Sequence, residues 1–416
     1  MRPLLYLDTA RLGQTLPAAR DAQIDFVRLT AEEPSTLYFE EFLRHGYNCW
    51  PNSYQSRFTA LRTWGGIRGL KQSLHQLAGA PEDGNVLLAS RSLSLVQLVA
   101  RSMFQTCRHL LTTDLSWPTY QDTVSRQALA AGAQITTVPL RDAIFRERWT
   151  AGDVAAFLAR LFAESGCDGL FLPAVDHLGV RIPVRAIVEQ IRNTSHLQFV
   201  LVDAAQAFCH VPIEDSLAVA DFVVTGCHKW MRAGQPMGVG FFGRNGTQRI
   251  IRETLQENCG DGCDLDPLLI FTEQLDGGHL NGHSETVNLA PLFSARAAAV
   301  EQLRRRNQFS ANADDSLQSD NPVGFTMLDL PAELRHWIPI QPHETMRSRI
   351  TLFANQVPVR TSDSAEEPRR EWLNHGCVVT GYDNGWVRVS PPQEIAVTSS
   401  VPMRAMKVPQ FSVFRH

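Results

Sequence analysis

A chain of 416 residues with 44% hydrophobic content holds enough apolar material for a sizeable core and, at ordinary domain sizes, for about two or three domains. Its 39 Lys and Arg stand against 43 Asp and Glu, so no overall field draws it to nucleic acid or an anionic membrane, and a small polar molecule is the partner that fits. No apolar run approaches the ~20 residues that span a bilayer, and Asp8 and Arg11 interrupt the apolar start before a signal-peptide core is complete, so a cytoplasmic protein is expected.

In chain order, the N-terminal stretch "LLYLDTARLG" is expected to join the functional region ahead of a helix beginning near Pro17. From about residue 45 to 290, short apolar runs alternate with amphipathic segments: "NVLLAS" then "LVQLVARSMFQ", "HLLTTD" then "YQDTVSRQALAAG", "QITTVPL" then "DVAAFLARLFAESG". The series continues through "GLFLPAV", "VRAIVEQIRNT", "QFVLVDAAQAF" and "ADFVVTG". That alternation predicts an α/β domain whose mostly parallel sheet is covered on both faces. After a long helix in "NLAPLFSARAAAVEQLRRR", the polar stretch "NQFSANADDSLQSDNPVG" reads as an exposed connection. A smaller α+β region follows, with strands in "GFTMLDL", "RITLFAN", "CVVTGY" and "GWVRVS" around a helix near "RREWLNHG". The expected division is a segment 1–44 serving the active site and the small domain, a large domain 45–290 and a small domain 291–416.

Ligands of such sheets gather beyond the carboxyl ends of the strands. Here those ends read "ASRS", "TTDLSW", "PAVDH", "VDAAQ" and "VTGCHK". Lys229 follows the apolar run "ADFVV" with neighbours that partly desolvate it, which lowers an amine's pKa and makes it a better nucleophile toward a carbonyl. Asp203 ends "FVLVD", so a buried strand delivers a carboxylate to the same edge, with Gln206 a short turn away. A pyridoxal phosphate enzyme needs a lysine to hold the cofactor, an acid facing its pyridine nitrogen and donors around its phosphate.

The stretch "VDAAQAFCHVPIEDSLAVADFVVTGCHKW", with Asp203, Gln206, His228 and Lys229 in place, resembles the class V aminotransferases among the fold-type I pyridoxal phosphate enzymes. That group includes cysteine desulfurases, isopenicillin N epimerase-like proteins and C–S lyases. "YLDTARLG" resembles the opening segment of the same family, and the likeness extends more weakly through Arg388. The resemblance implies the fold-type I architecture, with a seven-stranded, mostly parallel sheet in the large domain. It also implies pyridoxal 5′-phosphate as cofactor, an amino acid as substrate, and a homodimer with shared active sites. Lys229 would then be the Schiff-base lysine and the proton shuttle at Cα, Asp203 the partner of the pyridinium nitrogen, and Gln206 a neighbour of the phenolic oxygen. Thr225 and His228 match phosphate-binding positions. Ser92, with Leu93 after it, aligns with the family's hydroxyl residue at a helix N-terminus, where free N–H groups favour an anion. Trp117 falls where an aromatic ring stacks on the cofactor. Asp176 and His177 sit where relatives place a polar residue over cofactor or substrate, and Arg388 resembles the arginine that takes the substrate's α-carboxylate. In "LNGHSETVN", His283, Ser284 or Thr286 would reach the partner's phosphate, with Ser284 carried among the cofactor contacts.

The pair Cys259 and Cys263, with His279 and His283 beyond an apolar segment, does not make a compact zinc set, so no metal is expected. "GVGFFG" (238–243) fits G-x-G-x-x-G but reads as a strand itself, following a turn around Gly234 to Pro236, where the nucleotide fingerprint needs a strand before it and a helix after it, which removes dinucleotide binding. No cysteine lies between Cys263 and Cys377, so the polar segment "ANQVPVRTSDSAEEPRR" lacks the thiol that the resemblance would place on a small-domain loop of a persulfide-forming desulfurase. The wording "DAAQ" and "CHKW" is closest to the epimerase and C–S lyase branch. A lyase acting on an amino acid or modified amino acid, with β-elimination in a biosynthetic pathway, is expected ahead of transamination or epimerisation.

Overall fold

The structure is a computed structural model that describes residues 4–33, 40–80, 85–243, 248–257, 265–278, 280, 286–312, 330–355 and 365–392. Strand β1 (Leu5–Tyr6) opens the chain. The central sheet has seven strands: β2 (Val86–Ala89), β3 (His109–Thr113), β4 (Gln134–Val138), β5 (Gly169–Pro173), β6 (Phe199–Asp203), β7 (Phe222–Gly226) and β8 (Gly238–Phe242), in the order β2-β8-β7-β6-β5-β3-β4. Only β8 runs against the others, since it pairs antiparallel with both β2 and β7. This is the mostly parallel sheet that the apolar runs predict, and "GVGFFG" is indeed a strand within it.

Consecutive apolar residues form these strands because both faces are buried. Along β6, Val200 and Val202 join the core under the helices Gly66–Ala78, Ala151–Ser165 and Val184–Thr194, while Phe199 and Leu201 join the core under Ser92–Met103 and Pro118–Ala131. Helix ends follow local chemistry. Thr150 and Asp153 form a reciprocal capping box at the start of Ala151–Ser165, and Gly166, at φ 66°, closes it in the left-handed conformation that glycine adopts without strain.

The second sheet orders as β12-β13-β10-β9, built from β9 (Trp337–Ile340), β10 (Thr351–Asn355), β12 (Thr380–Gly381) and β13 (Val387–Val389). The run "CVVTGY", expected as one strand, divides at Val379. Its first half, β11 (Cys377–Val378), pairs in parallel with β1, and its second half pairs with β13. The long helix also differs from expectation. It runs Ala290–Asn312, through the start of the polar stretch read as a connection, because no Gly or Pro interrupts "NQFSAN". The run "GFTMLDL" lies outside the described residues except for Leu330.

Residues 5–16 form a strap between the two sheets. The N–H groups of Leu5, Leu7 and Thr9 donate to the carbonyls of Gly376, Val378 and Ser390, and those of Gly13 and Leu16 donate to His228 and Arg232 on the loop after β7. The helix Pro17–Glu32, with proline at its first position, begins immediately beyond. The N-terminus is therefore held by small sheet and lysine loop at once.

Candidate active site

The carboxyl ends of β2, β3, β5, β6 and β7 open onto one cavity of about 650 Å³. Lys229, Asp203, Gln206, His228, Asp176 and His177 all line it. Ser92, Leu93, Trp117 and Arg388 line it as well. Strand register explains the meeting: β6 ends on Asp203 beside Val224 of β7, so the carboxylate and the turn carrying Lys229 leave neighbouring strands on the same edge.

Thr225 does not join them. It is fully buried on β7, and its hydroxyl donates to the Ala204 carbonyl at 3.1 Å. Ser284, Cys259, Cys263, His279 and His283 lie outside the described residues. Thr286 is described and is not among the residues lining the cavity.

Burial governs the site's protonation. Lys229 is reached only from the cavity, and that desolvation lowers its amine to about 8, against the opposing pull of Asp203. Asp203 is raised to about 6 by burial, moderated by the Ala205 N–H at 2.8 Å and by Lys229. Asp176 is raised to about 7, again by burial, although its Oδ1 accepts the N–H groups of Leu178 and Val180 at 3.0 and 2.7 Å. Its Oδ2 has no partner among the described residues. His177 and His228 are each lowered to about 4 by burial and by neighbouring cations, so both rings are neutral at pH 7, and the Nδ1 of each has no partner among the described residues.

Gln206 is fixed at both ends of its amide: Nε2 donates to the Ala10 carbonyl at 2.8 Å, and Oε1 accepts from Trp230 Nε1 at 2.9 Å. His210 stacks on Trp230 with centroids 3.8 Å apart and 10° between planes, and its Nδ1 donates to the Gln206 carbonyl at 2.6 Å. Trp117 is 46% exposed and meets His177 edge-on, 5.4 Å between centroids.

Three residues near the cavity went unread in the sequence. Arg91 and Arg11 line it, and Asp8 pairs with Arg388 at 3.1 Å, both nearly inaccessible. Arg91 directly precedes the helix Ser92–Met103, so a cation stands beside the free N–H groups of that N-terminus. Strand β8 abuts the same turn, since a Cβ on Gly238 would lie 2.5 Å from Arg91 C and Ser92 N. Only the signal that Arg91 occupies a strand-to-helix turn was available beforehand.

The cavity fits pyridoxal phosphate. It joins a partly desolvated lysine and a strand-end carboxylate to an anion cradle of Arg91, Ser92, a helix N-terminus and the orphaned Nδ1 of His228. Fold and pocket together define a pyridoxal phosphate-dependent enzyme of fold type I.

Residues 66–249 match the family model described as Aminotransferase class-V. Among solved structures it resembles a NifS-like protein at 14% identity and TM-score 0.60, covering 93% of each chain. It resembles the cystine C–S lyase C-DES, in complex with its product cysteine persulfide, at 15% identity and TM-score 0.61, covering 94% of this chain and 93% of that one. It also resembles ureidoglycine–glyoxylate aminotransferase from Bacillus subtilis at 11% identity and TM-score 0.60, covering 94% and 89%. No curated protein matches it. No helix among the described residues is long and apolar enough to cross a membrane.

Proposed function

We propose that the chain is a pyridoxal phosphate-dependent lyase that removes a group from Cβ of an amino acid or modified amino acid. One observation carries this reading. Lys229 and Asp176 line the same cavity, the amine held near 8 and the carboxyl near 7, so a base and an acid coexist close to neutrality.

Lys229 would anchor the cofactor, with Asp203 opposite the pyridine nitrogen, Gln206 at the phenolic oxygen, and Ser92, Arg91 and His228 at the phosphate. The bound cofactor supplies an electron sink that lets a bond at the substrate's Cα break. The Lys229 amine takes the Cα proton, which its lowered pKa allows. The unpartnered Oδ2 of Asp176 holds a proton in the cavity and delivers it to the heteroatom departing from Cβ. Arg388 would contribute to holding the α-carboxylate, and Trp117 would lie against the cofactor. Transamination moves a proton between two carbons and has no departing heteroatom to protonate, so it leaves Asp176 without work. No cysteine lines the cavity among the described residues, which favours direct elimination over sulfur transfer to an enzyme thiol. A homodimer and a cytoplasmic location belong to the same reading.

The test is product analysis of the purified, cofactor-loaded enzyme with single amino acids. Continuous release of ammonia and a keto acid, without an added keto-acid acceptor, is the expected result, with the Asp176→Asn variant retaining Cα–H exchange but losing product release. A reaction that stops after one turnover until a keto acid is added means transamination and overturns the proposal.

A further inference from the structure

The pocket-lining arginine at position 388 is less available than a carboxylate receptor needs. Its Nη2 donates to Asp8 Oδ1 at 3.1 Å and to Thr380 Oγ1 at 3.2 Å, which uses both of that nitrogen's protons. Nη1 donates to the His177 carbonyl at 3.3 Å, and Nε is buried with no partner among the described residues. A carboxylate is gripped by two parallel N–H groups on one edge of the guanidinium. Both such edges include Nη2, so Arg388 offers single N–H groups and no free fork. Its charge is moreover matched by Asp8, with both side chains almost inaccessible.

A second guanidinium lies at that end of the pocket. Arg11 lines the same cavity and is exposed, and its side chain has no acceptor among the described residues. The strap dictates its place, since Ala10 on one side accepts from Gln206 and Gly13 on the other donates to the His228 carbonyl at 2.8 Å. Tyr6 feels the positive charges of both Arg11 and Arg388. Asp8 matches the charge of Arg388, and Arg11 adds a positive charge with no acceptor among the described residues, which a substrate carboxylate would match.

We infer that Arg11 and Arg388 together bind the substrate's α-carboxylate, with Asp8 holding Arg388 in place. The inference rests on the amino-acid reading above. Arg11 supplies the second charge-assisted bond that Arg388 cannot, and because it rides on the strap, carboxylate binding also tightens the N-terminus over the cavity.

The experiment is an absorbance titration of the bound cofactor in cofactor-loaded wild type, Arg11→Gln, Arg11→Lys and Arg388→Gln. The probes are the common L- and D-amino acids, each responder being compared with its carboxamide. Unaltered circular dichroism and cofactor content establish that Arg11→Gln is folded, as expected for an exposed side chain. The expected result is a weakening of every responding amino acid by roughly ten- to a hundredfold in Arg11→Gln, the worth of one hydrogen bond between charged groups. Partial recovery is expected in Arg11→Lys, and the carboxamides should be unaffected. Wild-type affinity in Arg11→Gln beside a loss in Arg388→Gln overturns the role of Arg11 and leaves the amino-acid reading standing. A loss confined to amino acids with acidic side chains also overturns it, by placing Arg11 on the side chain. No response to any amino acid in wild type, or equal binding of acid and amide, overturns the amino-acid reading itself and this inference with it.

Discussion

His210 offers a sharp test of how the site is supported, because its surroundings dictate both its tautomer and its charge. The Gln206 carbonyl can only accept, so Nδ1 carries the proton, and Nε2 accepts the Arg349 N–H at 3.2 Å. Burial lowers the ring from its ordinary 6.5 to about 3. A group depressed in the folded state contributes its stabilisation in full above its unfolded pKa, and the contribution is lost as pH falls toward the folded value. Between pH 7.5 and pH 5, with those two pKa values, wild type therefore loses about 2 kcal/mol through His210 alone. His210→Phe keeps a ring against Trp230 but removes the bond to the buried Gln206 carbonyl and the one from the half-buried Arg349 N–H, at roughly 1–3 kcal/mol each, so the variant is expected to be about 3 kcal/mol less stable at pH 7.5. Phenylalanine cannot titrate, so the gap between the two proteins should shrink to about 1 kcal/mol at pH 5. Urea unfolding of both, at equal cofactor loading across that pH range, measures it. A gap that stays constant with pH would refute the neutral, doubly bonded histidine and the assignment of its proton.

Other outcomes follow from the same geometry. Lys229→Ala should abolish the borohydride-trapped adduct between cofactor and chain in intact mass. In wild type, trapping of added cofactor by the cofactor-free protein should level off above about pH 8, where the lowered amine is deprotonated, and a rise continuing past pH 10 would contradict its burial. Asp8→Asn leaves Arg388 buried without its counter-charge and should cost about 3 kcal/mol in urea unfolding, part of it recovered when Arg388→Met is added; no recovery would mean the pair is not coupled. Gly13→Ala places a Cβ against the Lys229 carbonyl, so the strap must lift. Faster loss of bound cofactor on dilution is expected, and wild-type retention would show that the strap does not support the lysine loop.

What was legible in the sequence is what the backbone imposes locally. A buried parallel strand reads as an uninterrupted apolar run, so the residue that ends it, such as Asp203 after "FVLV", is marked by the change in character, and Lys229 is marked in the same way one strand over. Thr225 shows where family position outran strand geometry. On β7, Val224 faces one core and Val223 the other, and two residues beyond Val223 the threonine points the same way, away from the cavity and onto the Ala204 carbonyl. Arg11 was hidden for another reason. No local pattern says that residues 5–16 pair with 376–390 and then cross to the loop after β7, and Arg11 reaches the pocket only because both crossings occur. The division of "CVVTGY" is the other side of that crossing: Val378 is taken by the strap, and Thr380 returns to the small sheet, where it bonds Asp8 and Arg388. The surroundings of Arg388 and Arg11 thus depend on three segments distant in sequence, whereas Asp203 and Lys229 follow strand termini that announce themselves. A substitution at the cofactor end should accordingly disturb one interaction, while a substitution in the strap should disturb carboxylate binding, the lysine loop and the small sheet together.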